Sequence, residues 1–225
     1  MNIPIYETKE RVLADNDRAA AETRAKMRAG KTLLINLMGS PGAGKTSVLL
    51  RLIALLRDKY RIGVMEADVD SDVDARTVAA AGAKTVQLHT AGLCHMDADM
   101  TARGLDALDA AGLDFVFLEN IGNLVCPAEF EVGADVRLML LSVPEGDDKP
   151  LKYPLMFTVS DVLLVTKTDV LPVFDFDLGK MTDRVRALNP DIAIFPVSAV
   201  KDEGFAPVAA LLEQKLLERR AETCD

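Results

Sequence analysis

The sequence predicts an α/β fold, a mostly parallel sheet with helices covering both faces. Three observations carry the expectation. Short, near-continuous apolar runs alternate with amphipathic stretches of helical length, as buried strands and crossover helices require. The first apolar run, 33–38, breaks into the glycine-rich turn GSPGAGKTS at 39–47 and then into a helical pattern. At 225 residues, 49% hydrophobic and 27% charged, the chain is large enough to bury the core of one such domain.

Residues 1–7 contain proline and show no period, whereas 8–27 is rich in Ala, Arg and acidic residues and suits a surface helix ended by Gly30. Residues 1–30 are therefore expected as an N-terminal helical extension and 31–225 as the domain itself. Strand 33–38 comes first. The helix over 46–59 follows and places Val48, Leu49, Leu52, Ile53, Leu55 and Leu56 on one face. Further strands are expected over 62–67, 84–88, 114–118, 136–143, 161–165 and 192–197, and helices over 72–81, 98–111, 178–188 and 205–219. Neither an internal repeat nor a low-complexity segment interrupts the alternation. Sheets of this kind bind ligands at the carboxyl ends of their strands.

The turn after the first strand fits the P-loop pattern G-x-x-x-x-G-K-S/T from Gly39 to Thr46. Gly39, Gly42 and Gly44, with Ala43 between them, let successive backbone N–H groups form a nest for nucleotide phosphates. Lys45 is expected on the outer phosphates, Thr46 on Mg²⁺, and Ser47 in the same binding loop. Strand 114–118 ends in Glu119-Asn120-Ile121-Gly122, the layout of a γ-phosphate sensor. The Glu119 carboxylate would reach Mg²⁺ or orient water, and the Gly122 N–H would meet the γ-phosphate. Asp68, at a strand end, and Asp74, in the acidic segment 68–74, are candidates for Mg²⁺ and water positioning; helix caps explain others of that segment. Lys45, Asp74 and Glu119 are thus the candidate catalytic residues. Strand 161–165 runs into Thr166-Lys167-Thr168-Asp169, close to the guanine motif N-K-x-D with threonine for asparagine. Asp169 would accept from guanine N1–H and its exocyclic amine, a pair that adenine does not donate, and Lys167 would lay its stem along the base. Ser198, after the strand 192–197, stands where a backbone N–H would meet guanine O6.

A net charge of −9 and a pI near 4.8 argue against a general nucleic-acid or anionic-membrane binder, which needs a basic face. With no apolar run of spanning length and no signal-peptide layout, a cytoplasmic location is expected. Three cysteines, an odd number, suggest thiols kept for chemistry or metal. Cys94-His95 and Cys126-Pro127 are placed in loops, and thiolate with imidazole suits Zn²⁺ or Ni²⁺. Cys126 follows Gly122 closely, so a metal there would be tied to the phosphate sensor, a route for coupling metal affinity to nucleotide state. Buried apolar cysteines with a lone polar histidine would look the same in sequence. His89, at a strand end, and Cys224, near the C-terminus, are weaker candidates.

On these residues the chain resembles the HypB family, GTPases that help insert nickel during NiFe-hydrogenase maturation. The resemblance covers roughly 32–205 and rests on GSPGAGKTS, the Asp74-Ala75-Arg76 triplet, LCHMDA at 93–98, ENIGNLVCPAEF at 119–130 and EGDDKP at 145–150. It implies a SIMIBI-type G domain that binds GTP and Mg²⁺, hydrolyses slowly, forms a nucleotide-dependent homodimer and holds Ni²⁺ or Zn²⁺ near the interface. Cys94, His95 and Cys126 match the family's G-domain ligands. Hydrogenase maturation proteins and the hydrogenase large subunit are the partners it implies. Some members carry an N-terminal cysteine motif or a histidine-rich tract; neither is present, so nickel storage is not expected. Where some relatives have a further histidine, this sequence has Ala98-Asp99, and Asp99 offers a carboxylate instead. Competing readings are a regulatory GTP switch with structural cysteines, an accessory GTPase for urease or a cobalamin enzyme, and a small-molecule kinase. The last needs a lid arginine cluster, whereas Arg137, Arg184 and Arg186 are scattered.

Overall fold

The computed structural model describes residues 8–68, 73–90 and 92–221. Its organising strand is β1 (Leu33–Gly39), buried along its whole length. Successive side chains of a strand point to opposite faces, and here the alternation divides the core. Leu33, Ile35 and Leu37 pack with α2 (Lys45–Leu56), α3 (Val73–Ala80) and α9 (Phe205–Ala221). Leu34 and Met38 face the other layer: α1 (Thr8–Ala29), α4 (Ala98–Leu108), α7 (Pro154–Val159) and α8 (Leu178–Leu188).

The remaining strands are β2 (Ile62–Asp68), β3 (Lys84–His89), β4 (Phe115–Glu119), β5 (Val136–Ser142), β6 (Val162–Thr166) and β7 (Ala193–Pro196). They form a seven-stranded sheet in the order β3-β2-β4-β1-β5-β6-β7, and every pairing is parallel. The expected mostly parallel sheet covered on both faces is therefore present. β1 lies at its centre between β4 and β5, so the P-loop, the end of β4 and the end of β6 open on one edge, as the strand-end rule requires. β3 and β7 are sheet edges and are half-exposed, whereas the interior strands are buried except at Asp68 of β2 and Arg137 of β5.

Element ends differ from the sequence reading for local reasons. α4 stops at Leu108 because Asp109 takes a left-handed conformation, φ 47°, and returns its N–H to the carbonyls of Leu105 and Asp106. The stretch after β5 carries a 3-10 turn at Val143–Glu145, α6 (Lys149–Lys152) and then α7, each with proline in its first turn. Such pieces are too short to display a helical period. One further turn, α5 (Cys126–Glu129), places Cys126 at a helix start rather than in an open loop.

Helix α1 lies against α4 and β1 and buries Ala20, Thr23 and Met27. Its Asn16 side chain donates to the Glu131 carbonyl at 2.9 Å and accepts from Ala98 N–H, at the start of α4, at 3.0 Å. The other terminal helix is tied by charge. Arg219 of α9 pairs with Asp135, their side chains only 9% and 3% exposed, and Asp135 also accepts from Leu34 N–H at 3.0 Å. Arg219→Ala leaves that carboxylate buried without its cation, and a loss of about 3–5 kcal/mol is expected, measured by urea denaturation.

Candidate functional site

Between β1 and α2 the chain turns through Gly42 (φ 74°) and Gly44 (φ 98°), left-handed conformations that favour glycine. Gly44 caps α2 without a side-chain hydrogen bond and the first turn holds no acidic residue, so the helix offers its N-terminal N–H groups to an anion. They open on a cleft of about 650 Å³ whose lining includes Lys45, Thr46, Asp68, Asp74, Glu119 and Gly122. The sequence-predicted phosphate and cation residues thus meet on one cavity. Asp70 and Asp72 of the acidic segment lie outside the described residues, as do residues 1–7 and Cys224.

Thr46 Oγ1 donates to Glu119 Oε1 at 3.0 Å. Glu119 is the last residue of β4, in register with Glu66 of β2, which is itself in register with Gln87 of β3. All three line the cleft, and Glu119 Oε2, Glu66 Oε1 and Gln87 Nε2 are buried without a protein partner. Burial pushes the Glu66 carboxyl up to about 9, reinforced by the charges of Glu119 and Asp74. Burial likewise raises Glu119, to about 7, against the opposing pull of Lys45 and the Thr46 hydroxyl. A hydroxyl and several carboxylates, with oxygen atoms left unpartnered, form a donor set that fits a hard divalent cation such as Mg²⁺. Glu66 was not foreseen. Its signal was an acid inside an otherwise apolar strand, where a charged side chain is rarely buried without a partner.

At the other end of the loop, Thr166 is buried and its hydroxyl donates to the Ala43 carbonyl at 2.7 Å. The threonine therefore ties β6 to the P-loop. Lys167, left-handed at φ 59°, lines the cleft and donates from Nζ to the Gly42 carbonyl at 2.7 Å. Asp169 Oδ1 accepts from Ser198 Oγ at 2.6 Å, which brings together two of the residues expected at a guanine base. Arg51 of α2 steadies the same loop, donating to the Ala199 carbonyl at 2.7 and 3.1 Å.

Cys94, His95 and Cys126 converge, with one ligand atom from each lying within 4.8 Å of the others. The two thiols are free, and their sulfurs are 3.1 Å apart. The His95 imidazole stacks on Phe130, ring centroids 3.9 Å apart and planes 23° from parallel. Burial holds His95 below its usual range against the opposing charges of Asp97 and Glu129, which favours the neutral, metal-binding form. The Cys126 thiol is raised by its contact with Cys94 and by burial. Two sulfurs and an imidazole suit Zn²⁺ or Ni²⁺ and leave coordination positions for a further ligand. Among the described residues Asp99 does not join this group; it lies in the first turn of α4, beside the groove against α1. His89 ends β3, exposed and outside the cluster.

The segment after β4 runs from one site to the other. Buried Asn120 accepts from Met96 N–H at 3.2 Å, in the Cys94-His95 loop, and donates to Asn36 of β1 at 3.1 Å. Gly122 lies against Pro41 of the P-loop; a Cβ there would come 2.8 Å from the proline nitrogen. Asn120→Ala strips partners from two buried polar groups, and a destabilisation of about 1–3 kcal/mol is expected from a thermal or denaturant melt.

The family model described as CobW/HypB/UreG, nucleotide-binding domain, matches residues 33–196. Over 204 residues the chain is 45% identical to the hydrogenase maturation factor HypB of Azotobacter vinelandii, covering 91% of this chain and 67% of that one. The chain belongs to the HypB family of hydrogenase maturation factors. Among solved structures it is similar to HypB from Helicobacter pylori, determined in complex with nickel. That match has a TM-score of 0.86 and 35% identity, and covers 94% of this chain and 99% of that one. The fold is shared by a more distant solved structure. The 54 kDa signal recognition particle protein of Aeropyrum pernix K1 aligns with a TM-score of 0.56 at 18% identity, over 84% of this chain and 49% of that one. In this HypB-family chain the Cys/His cluster and the P-loop cleft are joined through one segment, 119–126, whose hydrogen bonds no sequence pattern displays.

Proposed function

We propose that this chain is a GTP-hydrolysing metallochaperone that carries nickel for NiFe-hydrogenase maturation. The observation that carries the reading is the continuity of 119–126, which begins at Glu119 on the Thr46 hydroxyl and ends at Cys126 beside Cys94 and His95. Backbone N–H groups of the P-loop hold the phosphates, and Lys45 stabilises the charge that develops on the transferring phosphoryl group. Thr46 and Glu119, with Asp68 or Asp74, would hold Mg²⁺, which when bound supplies positive charge at the phosphate oxygens. Asp74 or Glu119 orients the attacking water. Asp169, with Lys167 and the Ser198 loop, selects guanine.

Nickel is the cargo, held by Cys94, His95 and Cys126, and Zn²⁺ competes for the same donors. The working unit is a nucleotide-dependent homodimer in the cytoplasm that passes its metal to maturation partners and the hydrogenase large subunit. No helix among the described residues is long and apolar enough to cross a membrane. The reading is tested by measuring GTP and ATP hydrolysis, Ni²⁺ stoichiometry and dimerisation on one preparation. Guanine-selective turnover with stoichiometric nickel supports it, and turnover without stoichiometric metal turns the reading to a regulatory switch. Asp169→Asn replaces a double acceptor with a mixed donor and acceptor, so preference is expected to move from GTP toward xanthosine triphosphate by about 100-fold or more in kcat/KM.

A further inference from the structure

Asn123 touches each part that such a cycle must connect. Its backbone N–H donates to the Gly39 carbonyl at 3.1 Å, where β1 passes into the P-loop, and the two residues form an isolated antiparallel bridge. Its side-chain Oδ1 accepts from Val125 N–H at 2.8 Å, within the turn that delivers Cys126. Only the oxygen of an amide accepts such a bond, which fixes the orientation of the group. Nδ2 is thereby turned to the backbone carbonyl of Cys94, at 3.3 Å.

One short side chain therefore spans both metal-bearing segments, while its backbone is bonded to the strand end that opens the P-loop. The residue before it, Gly122, is packed on Pro41 so closely that a side chain would not fit. A shift of the P-loop or of the phosphate sensor moves Asn123, and a moved Asn123 changes the placement of Cys94 relative to Cys126. Asn120 also reaches the Cys94-His95 loop, but it is buried and anchored on β1, so it acts as a fixed post. We infer that Asn123 is the positioning residue through which the nucleotide state sets the spacing of the two thiol ligands and hence the affinity for nickel. The inference rests on the proposed nickel-handling GTPase function and names the route of its regulation. Coupling of this kind is measured as a ratio of affinities between two states.

The test compares wild type, Asn123→Asp and Asn123→Ala, each titrated with Ni²⁺ in the presence of GDP and of a non-hydrolysable GTP analogue. Nucleotide affinity is measured alongside. Asn123→Asp keeps the acceptor for Val125 N–H and removes the donor to Cys94. Its added charge acts on nickel in both nucleotide states, so the ratio between the states is the readout. The ratio is expected to fall to near one in Asn123→Asp with nucleotide affinity retained, and Asn123→Ala is expected to lose the ratio and also to bind nickel more weakly in both states. A ratio kept at the wild-type value by Asn123→Asp overturns the assignment to Asn123. Equal nickel affinities in the two states of the wild type overturn the coupling itself, and this inference with it, whatever the variants do.

Discussion

Replacing Lys45 with alanine is expected to lower GTP turnover by about 10²–10³-fold or more, the loss seen when a positioned charge or donor is removed from a transition state. Lys45 is only 8% exposed and lines the cleft with Thr46 and Glu119. Burial makes its charge felt strongly, because little water stands between the ammonium and the groups it faces. Its charge acts on the buried carboxyls of Glu66 and Glu119, both of which it draws toward the ionised form. Removing it therefore also disturbs that pair, and a melting curve separates lost catalysis from lost fold. Folded Lys45→Ala protein with near-normal turnover would remove the P-loop lysine from the reaction.

Cys126→Ala is expected to lower Ni²⁺ affinity by about 100-fold or more while GTP binding stays at the wild-type level. Changing a group that merely orients a ligand costs about 10–100-fold, and Cys126 is one of three side chains in the cluster among the described residues. The remaining pair, Cys94 and His95, are neighbours in sequence on a single loop. Competition with a chromophoric chelator measures the loss, and unchanged affinity would place the metal elsewhere. The double variant with Cys94→Ala is expected to fall short of the sum of the two single losses, because both thiols serve one ion.

Much of the phosphate site was legible. GSPGAGKT dictates its own geometry, since Gly42 and Gly44 adopt backbone angles that other residues rarely take and Lys45 begins the helix that follows. Glu119 was legible from its place at a strand end. Glu66 and Gln87 were not, because their relation to Glu119 is a matter of strand order: β2 stands between β3 and β4, and period-two patterning does not say which strands are neighbours. Thr166 read as a departure from the guanine motif. Its hydroxyl nonetheless reaches the P-loop at Ala43. The carboxylate of Asp99 could be placed near the metal only by counting along the chain, and helix α4 carries it to the α1 side.

By itself the sequence determined the alternation of buried strands and helices and the nucleotide loop, and it singled out Cys94, His95 and Cys126 as candidate N/S donors, because each of these depends on residues close together in the chain. Tertiary structure decided that Cys94 and Cys126, separated by 32 positions, have sulfurs in contact. It also decided that the Cys94 carbonyl and the N–H of Val125, the residue before Cys126, meet on the side chain of Asn123, whose backbone is bonded to the end of the P-loop strand at Gly39. The physical reason is that β4 pairs directly beside β1. That pairing lays the segment leaving β4 across the glycine turn leaving β1, a juxtaposition set by the order of the sheet.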